Sequence, residues 1–116
     1  MLGAPMTPRA FRELALSLEG TTEAPHFDRT AFRRRTIFAT LAAERKEAMV
    51  KVSSPELIRE LLESQPDVFL SYGGFTTTLG ALGVRLPKVA TALLKELLEQ
   101  AWREAGPKPR KRARKR

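Results

Sequence analysis

The stretch PHFDRTAFRRRTIFATL, residues 25–41, decides the fold predicted for this chain of 116 residues. Its aromatic and β-branched residues favour extended backbone and predict two strands, over 27–34 and 36–41. The alternating apolar residues of 48–52 predict a third strand beyond a polar turn. Because the connections are short, we expect the three strands to form an antiparallel meander.

Helices are predicted before and after this meander in the sequence. In two places a capping side chain, Thr or Ser, stands directly before a proline, and this pair is typical of a helix N-terminus. Apolar residues at helical spacing follow each pair and recur after Pro87. The predicted helix limits are Thr7-Pro8 to Gly20, Ser54-Pro55 to Pro66, and Pro87 to Gly106.

The remaining residues complete the predicted order. Residues 21–25 are predicted to be a loop, and two more short strands are predicted over 75–79 and 82–86. The order helix, three strands, helix, two strands, helix predicts a two-layer α+β domain, with three helices on one face of a five-stranded antiparallel sheet. We expect a single domain over 1–105, followed by a disordered basic tail over 106–116.

The positive charge is concentrated in that tail. The chain has 21 Lys and Arg residues against 13 Asp and Glu residues, a net charge of +8. The tail sequence GPKPRKRARKR holds seven of the basic residues and no acid, which leaves 14 basic against 13 acidic residues over 1–105. A near-neutral domain therefore carries a basic arm, and only that arm strongly indicates a polyanionic partner.

Composition argues against several classes of function. Cysteine is absent, which excludes disulfides, thiolate metal sites and cysteine nucleophiles, and fits a reducing cytoplasm. The first residues lack the basic and apolar runs of a signal peptide, and no stretch has the length of a membrane helix. The chain has no P-loop, no GxGxxG motif and a single histidine, His26, so neither a metal nor a cofactor is predicted.

The sequence also resembles the MmcQ/YjbR family over roughly residues 6–105. The segments that carry the likeness are PHF at 25–27, AFR at 31–33, IFATL at 37–41 and VKVS at 50–53. The chain lacks the Gly-Trp pair that family members commonly have before the last strand, and Phe75 follows Gly74 there instead. The resemblance implies an α+β fold similar to type III secretion chaperones, described as a double-wing DNA-binding motif.

Basic residues near the meander form a second candidate phosphate-binding region besides the tail. If alternate residues of the strand over 36–41 face the helices, Phe38 faces outward beside Lys51 and Arg85, which is typical of a platform for single-stranded nucleic acid. The same face is equally typical of a solvated surface or of one that pairs with a second copy. The predicted nucleic-acid-binding residues are Arg33, Arg34, Arg35, Phe38, Arg45, Lys46, Lys51 and Arg85 in the domain, and Lys108, Arg110, Lys111, Arg112, Arg114, Lys115 and Arg116 in the tail.

Together these observations predict a non-enzymatic, cytoplasmic protein that binds nucleic acid, DNA in particular, and needs no cofactor. Two alternatives stay open from the sequence. One is a protein-interaction or dimerisation module that uses the outward sheet face. The other is a small-ligand binder or enzyme with a pocket near His26. The sequence does not distinguish a monomer from a homodimer.

Overall fold

The computed structural model describes residues 5–106, which form six strands and four α-helices. The strands are β1 (Thr22–His26), β2 (Arg29–Arg33), β3 (Ile37–Ala42), β4 (Glu47–Lys51), β5 (Phe69–Ser71) and β6 (Ala81–Arg85). The helices are α1 (Pro8–Leu16), α2 (Pro55–Ser64), α3 (Gly74–Leu79) and α4 (Thr91–Glu104). None of these four helices is both long enough and apolar enough to cross a membrane.

All six strands belong to one antiparallel sheet in the order β1-β2-β3-β4-β6-β5. Its centre is the meander predicted from the opening stretch of sequence. The α+β class with an antiparallel sheet is therefore confirmed. The predicted count of five strands and three helices is wrong, because residues 5–106 contain six strands and four helices.

Helices α1 and α2 begin at the predicted prolines, Pro8 and Pro55, whereas α4 begins at Thr91 and not at the predicted Pro87. The hydroxyls of Thr7 and Ser54 accept hydrogen bonds from backbone N–H groups three residues further on, with a proline at the first turn of each helix. Phe11 of α1 packs edge-on against Phe32 of β2, with ring centroids 5.9 Å apart. Other fully buried side chains of this core include Val50, Leu82, Val84, Leu94 and Leu98.

Strand β1 occupies residues that were predicted to be a loop. Its side chains are mostly exposed and include Pro25, so no apolar alternation marks it in the sequence. The proline is tolerated because β1 lies at the edge of the sheet. Pairing with β2 and an ion pair of 2.5 Å between Glu23 and Arg12 of α1 hold the strand in place. Tertiary contacts, not local propensity, make this strand.

The predicted strand over 75–79 is instead helix α3. Its three consecutive threonines favour extended backbone, but Gly73 at φ 66° and Gly80 at φ 75° turn the chain at both ends. The Thr76 hydroxyl accepts a hydrogen bond from the N–H of Tyr72 (2.7 Å) and donates one to the carbonyl of Ala81 (2.5 Å). These bonds fix the helix between β5 and β6, so context overrides the propensity of the segment.

Candidate nucleic-acid interface

The sheet has two ends that carry different sets of charged residues. One end, here called the hairpin tips, consists of the β1–β2 turn (26–29) and the β3–β4 turn (42–47). The other, here called the basic end, consists of the β2–β3 turn (33–36), Lys51 at the end of β4, and the end of α4 (103–106). Because neighbouring strands are antiparallel, the hairpin tips and the basic end lie at opposite ends of the strands.

Arg34 ties the basic end together. Its guanidinium lies over the ring of Trp102, 4.0 Å from the ring centroid, and Nη1 donates a hydrogen bond of 3.1 Å to the Trp102 carbonyl. The indole N–H of Trp102 donates in turn to the carbonyl of Glu19 (2.8 Å). Arg34 was predicted to contact nucleic acid. Its contacts in the structure instead join the β2–β3 turn to α4.

Arg33 and Arg35 flank this anchored residue, and both side chains are exposed. The backbone N–H of Arg35 donates a hydrogen bond of 3.0 Å to the carbonyl of Ala105. Gly106 lies so close to the Arg34 guanidinium that a side chain at 106 would clash with it. The last described residues of the chain therefore leave the domain beside Arg33 and Arg35.

The seven predicted cations of the tail lie outside the described residues. They follow Gly106 in sequence, and Gly106 belongs to the basic end. Their point of attachment is thus known from the structure. They are Lys108, Arg110, Lys111, Arg112, Arg114, Lys115 and Arg116.

Three other predicted cations, Arg45, Lys46 and Arg85, lie at the hairpin tips, whereas Lys51 lies at the basic end. Arg45 forms an ion pair of 3.3 Å with Asp28, and this hydrogen-bonded guanidinium lowers the pKa of the Asp28 carboxyl. Lys46 is exposed and has a left-handed backbone conformation, with φ 53°. Arg85 lies opposite Glu47 of β4 and donates a hydrogen bond to the Pro66 carbonyl (3.2 Å). The tips therefore hold basic and acidic groups side by side.

The predicted grouping of Phe38, Lys51 and Arg85 on one outward platform is wrong. Phe38 is only 1% exposed, so its ring is not available to stack on a base. It lines a small cleft together with Leu79 of α3 and Ala101 of α4. Lys51 is at the basic end and Arg85 is at the hairpin tips, because the register pairs Lys51 with Ala81 and not with Arg85.

A cluster of four polar side chains crosses the sheet, and it was missed in the sequence. Arg29 donates hydrogen bonds to the hydroxyl of Thr40 (3.0 Å) and to the carboxylate of Glu47 (3.2 Å). The hydroxyl of Tyr72 also donates to the Glu47 carboxylate, and Arg29 lies 5.4 Å from the centre of the Tyr72 ring. These bonds join β2, β3, β4 and the end of β5, so the cluster braces the sheet. Residues 29, 40, 47 and 72 are too far apart in sequence for a motif to reveal it.

His26 lies at the hairpin tips, where it is exposed. Its ring contacts Phe27 edge-on, with centroids 4.8 Å apart. Within residues 5–106 no group of three or more His, Cys, Asp or Glu side chains is placed to hold a metal ion. The immediate partner of the histidine is therefore an aromatic ring.

Comparison with known proteins agrees with this architecture. The family model described as YjbR matches residues 16–104. The chain belongs to the YjbR family, also called MmcQ/YjbR. The resemblance noted in the sequence is confirmed.

A solved relative shares the fold of this YjbR protein. The crystal structure of Deinococcus radiodurans protein DR2400, which carries a DUF419 domain of the same family, matches it with a TM-score of 0.74. The match covers 88% of this chain and 80% of that chain at 20% sequence identity, so it shows the fold alone. No curated protein matches the chain.

Proposed function

We propose that this YjbR protein is a non-enzymatic nucleic-acid-binding protein whose basic end contacts phosphates. The observation that carries the proposal is the hydrogen bond between the Arg35 N–H and the Ala105 carbonyl. It places the start of the tail beside the exposed side chains of Arg33 and Arg35. The basic tail thus begins at the same end of the fold as Arg33 and Arg35, which lie some 70 residues earlier in the sequence.

Charge supports this assignment. The domain over 1–105 is nearly neutral, so attraction to a polyanion comes from the places where cations are concentrated. On duplex DNA each neutralised phosphate contributes about 0.9 to the dependence of log K on log salt concentration. Phosphate contacts carry no sequence information. The proposed binding is therefore sequence-independent and strongly weakened by salt, with DNA as the expected polymer and RNA as the alternative.

The proposal assigns no catalytic residue and no cofactor to the chain. Arg33 and Arg35 contact phosphate directly, and Arg34 positions them by holding the turn against Trp102. The lack of cysteine supports a cytoplasmic location as part of the same proposal.

The test is a titration of fluorescent DNA and RNA with the full chain and with a full-length variant in which the seven tail cations are replaced by glutamine. We expect the wild type to bind at low salt, and the neutralised tail to weaken binding by at least about ten-fold and to flatten the salt dependence. If the wild-type chain binds neither DNA nor RNA, even at low salt, the proposed function is wrong.

A second candidate function is protein interaction, including dimerisation, and one observation favours it. Phe75 and Leu79 of α3 are exposed, and Leu79 lines a cleft of about 460 Å³ between α2 and α3. Large exposed apolar side chains near a cleft are typical of contact surfaces. Sedimentation of the wild type and of a Phe75→Ala/Leu79→Ala variant tests it, since a monomeric wild type at high concentration would exclude the dimer.

A further inference from the structure

Phe27 combines two features that a purely structural residue would not need. It is 94% exposed, the highest exposure among the large apolar side chains of residues 5–106. It also has φ 60° as the first of the two turn residues between β1 and β2, while Asp28 does not have a positive φ. In a hairpin turn of this kind the first position is normally glycine. A bulky aromatic ring is thus presented to solvent on unfavourable backbone, which is typical of functional sites.

The surroundings of this ring form a small cleft, here called the tip cleft. The cleft has a volume of about 450 Å³ and lies between the two hairpin tips. That volume is within the range of ligand pockets. Its lining residues are Phe27, Asp28, Arg29, Thr30, Leu41 and Arg45, with Ala42, Ala43 and Glu44. It therefore combines an aromatic face, a guanidinium donor and a carboxylate acceptor.

We propose that the tip cleft binds an unpaired nucleobase stacked on Phe27. Nucleobases are planar and aromatic, and their edges carry both hydrogen-bond donors and acceptors, which match the Asp28–Arg45 ion pair (3.3 Å) at the rim. Lys46 is exposed on the same tip and can meet the adjoining phosphate. This inference rests on the proposed function. It adds a contact to a base, whereas the basic end is proposed to contact phosphates alone.

The distance between the tip cleft and the basic end allows one strand of nucleic acid to reach both regions. The tip cleft and the basic end are joined by β2, and four residue steps from Arg29 to Arg33 span about 13 Å. That distance is about four nucleotides at the axial spacing of one strand of B-DNA. A single strand can then stack a base on Phe27 and place phosphates beside Arg33 and Arg35.

The base has to be unpaired because stacking on a side chain needs an open face. Within a duplex both faces of each base are covered by its neighbours, whereas single strands, loops and bulges expose them. The proposal therefore predicts a preference that phosphate contacts alone would not produce. Loss of the ring should weaken binding to single strands and leave binding to duplex DNA unchanged.

The experiment measures the Kd of the full chain for a 12-nucleotide single-stranded DNA, the same sequence as RNA, and duplex DNA, by fluorescence anisotropy at low salt. The variant is Phe27→Ala, and the matched control is Phe75→Ala, which removes a second exposed phenylalanine, 65% exposed, on α3. We expect Phe27→Ala to raise the Kd for single strands about ten-fold and to change the Kd for duplex less than two-fold. The control should bind all three like the wild type.

Two further variants separate stacking from a role in the turn. Phe27→Trp should keep single-strand binding, because it keeps an aromatic face. Phe27→Gly suits the positive φ and should lose binding as Phe27→Ala does. If the wild type binds single strands and Phe27→Ala binds them equally well, the tip cleft is not a base site and the proposed function still stands. If the wild type binds neither single strands nor duplex, both proposals are wrong.

Discussion

At the scale of single residues, Phe27 also makes a prediction about stability. At φ 60° any side chain crowds the neighbouring backbone, whereas glycine has no such penalty. We expect Phe27→Gly to be more stable than Phe27→Ala by about 1 kcal/mol, because alanine keeps the strained φ. Urea denaturation of the two variants measures the difference. An alanine variant as stable as the glycine variant would show that the turn is not strained.

Tyr72 gives the fold a sensitivity to alkaline pH. Burial and the hydrogen bond to the Glu47 carboxylate raise the pKa of Tyr72 above its ordinary value of 10.0. The unfolded chain therefore loses this proton at a lower pH than the folded one. The stabilising contribution is complete below about pH 10 and is lost as pH rises through the raised pKa.

We therefore expect the free energy of unfolding of the wild type to fall above about pH 10, and to fall less in Tyr72→Phe. Urea denaturation at a series of pH values measures this. The chain has one tyrosine, so no other phenol contributes. Parallel curves for the two proteins would rule out the proposed role of Tyr72.

At the scale of elements, the contact between Arg34 and Trp102 joins the β2–β3 turn to α4. We expect Arg34→Ala to lower the free energy of unfolding by about 1 kcal/mol, because it removes a cation–π contact and a hydrogen bond. Trp102 is the only tryptophan, so its fluorescence should shift to longer wavelength as the ring gains water. Arg33→Ala, which changes an exposed neighbour, is the control and should leave the emission unchanged.

The elements that the sequence predicts correctly are those with a strong local pattern. Strands β2 to β4 alternate or are rich in aromatic and β-branched residues, and α1 and α2 have a cap followed by proline. Strands β1 and β5 and helix α3 escape prediction. Pairing with β2 holds β1, pairing with β6 holds the three-residue β5, and the hydrogen bonds of Thr76 hold α3. Patterns in a short stretch of sequence do not reveal contacts between separate segments of the chain.

At the scale of the whole molecule, part of the candidate site is visible in the sequence. Partition of the charge predicts a basic tail on a near-neutral domain. The exposure of Phe38 is mispredicted because alternation assumes that every second side chain of β3 faces solvent, whereas residues 38–42 of this strand are all buried. The meeting of Arg35 with Ala105 is a contact between distant residues, which no periodicity reveals. The exposure of Phe27 depends likewise on which residues form the turn.

Contact between phosphates and Arg33 and Arg35 at the basic end is tested by the salt dependence of DNA binding. The variant is Arg33→Ala/Arg35→Ala, which keeps the backbone N–H that bonds Ala105. The control is Arg59→Ala/Lys95→Ala, which removes the same charge from exposed positions on α2 and α4.

For duplex DNA, we expect the slope of log K against log salt concentration to decrease in magnitude by about 1.8 in the basic-end variant, since two lost phosphate contacts contribute about 0.9 each. The control should keep a slope near that of the wild type. Equal slopes for the wild type, the basic-end variant and the control would contradict this expectation.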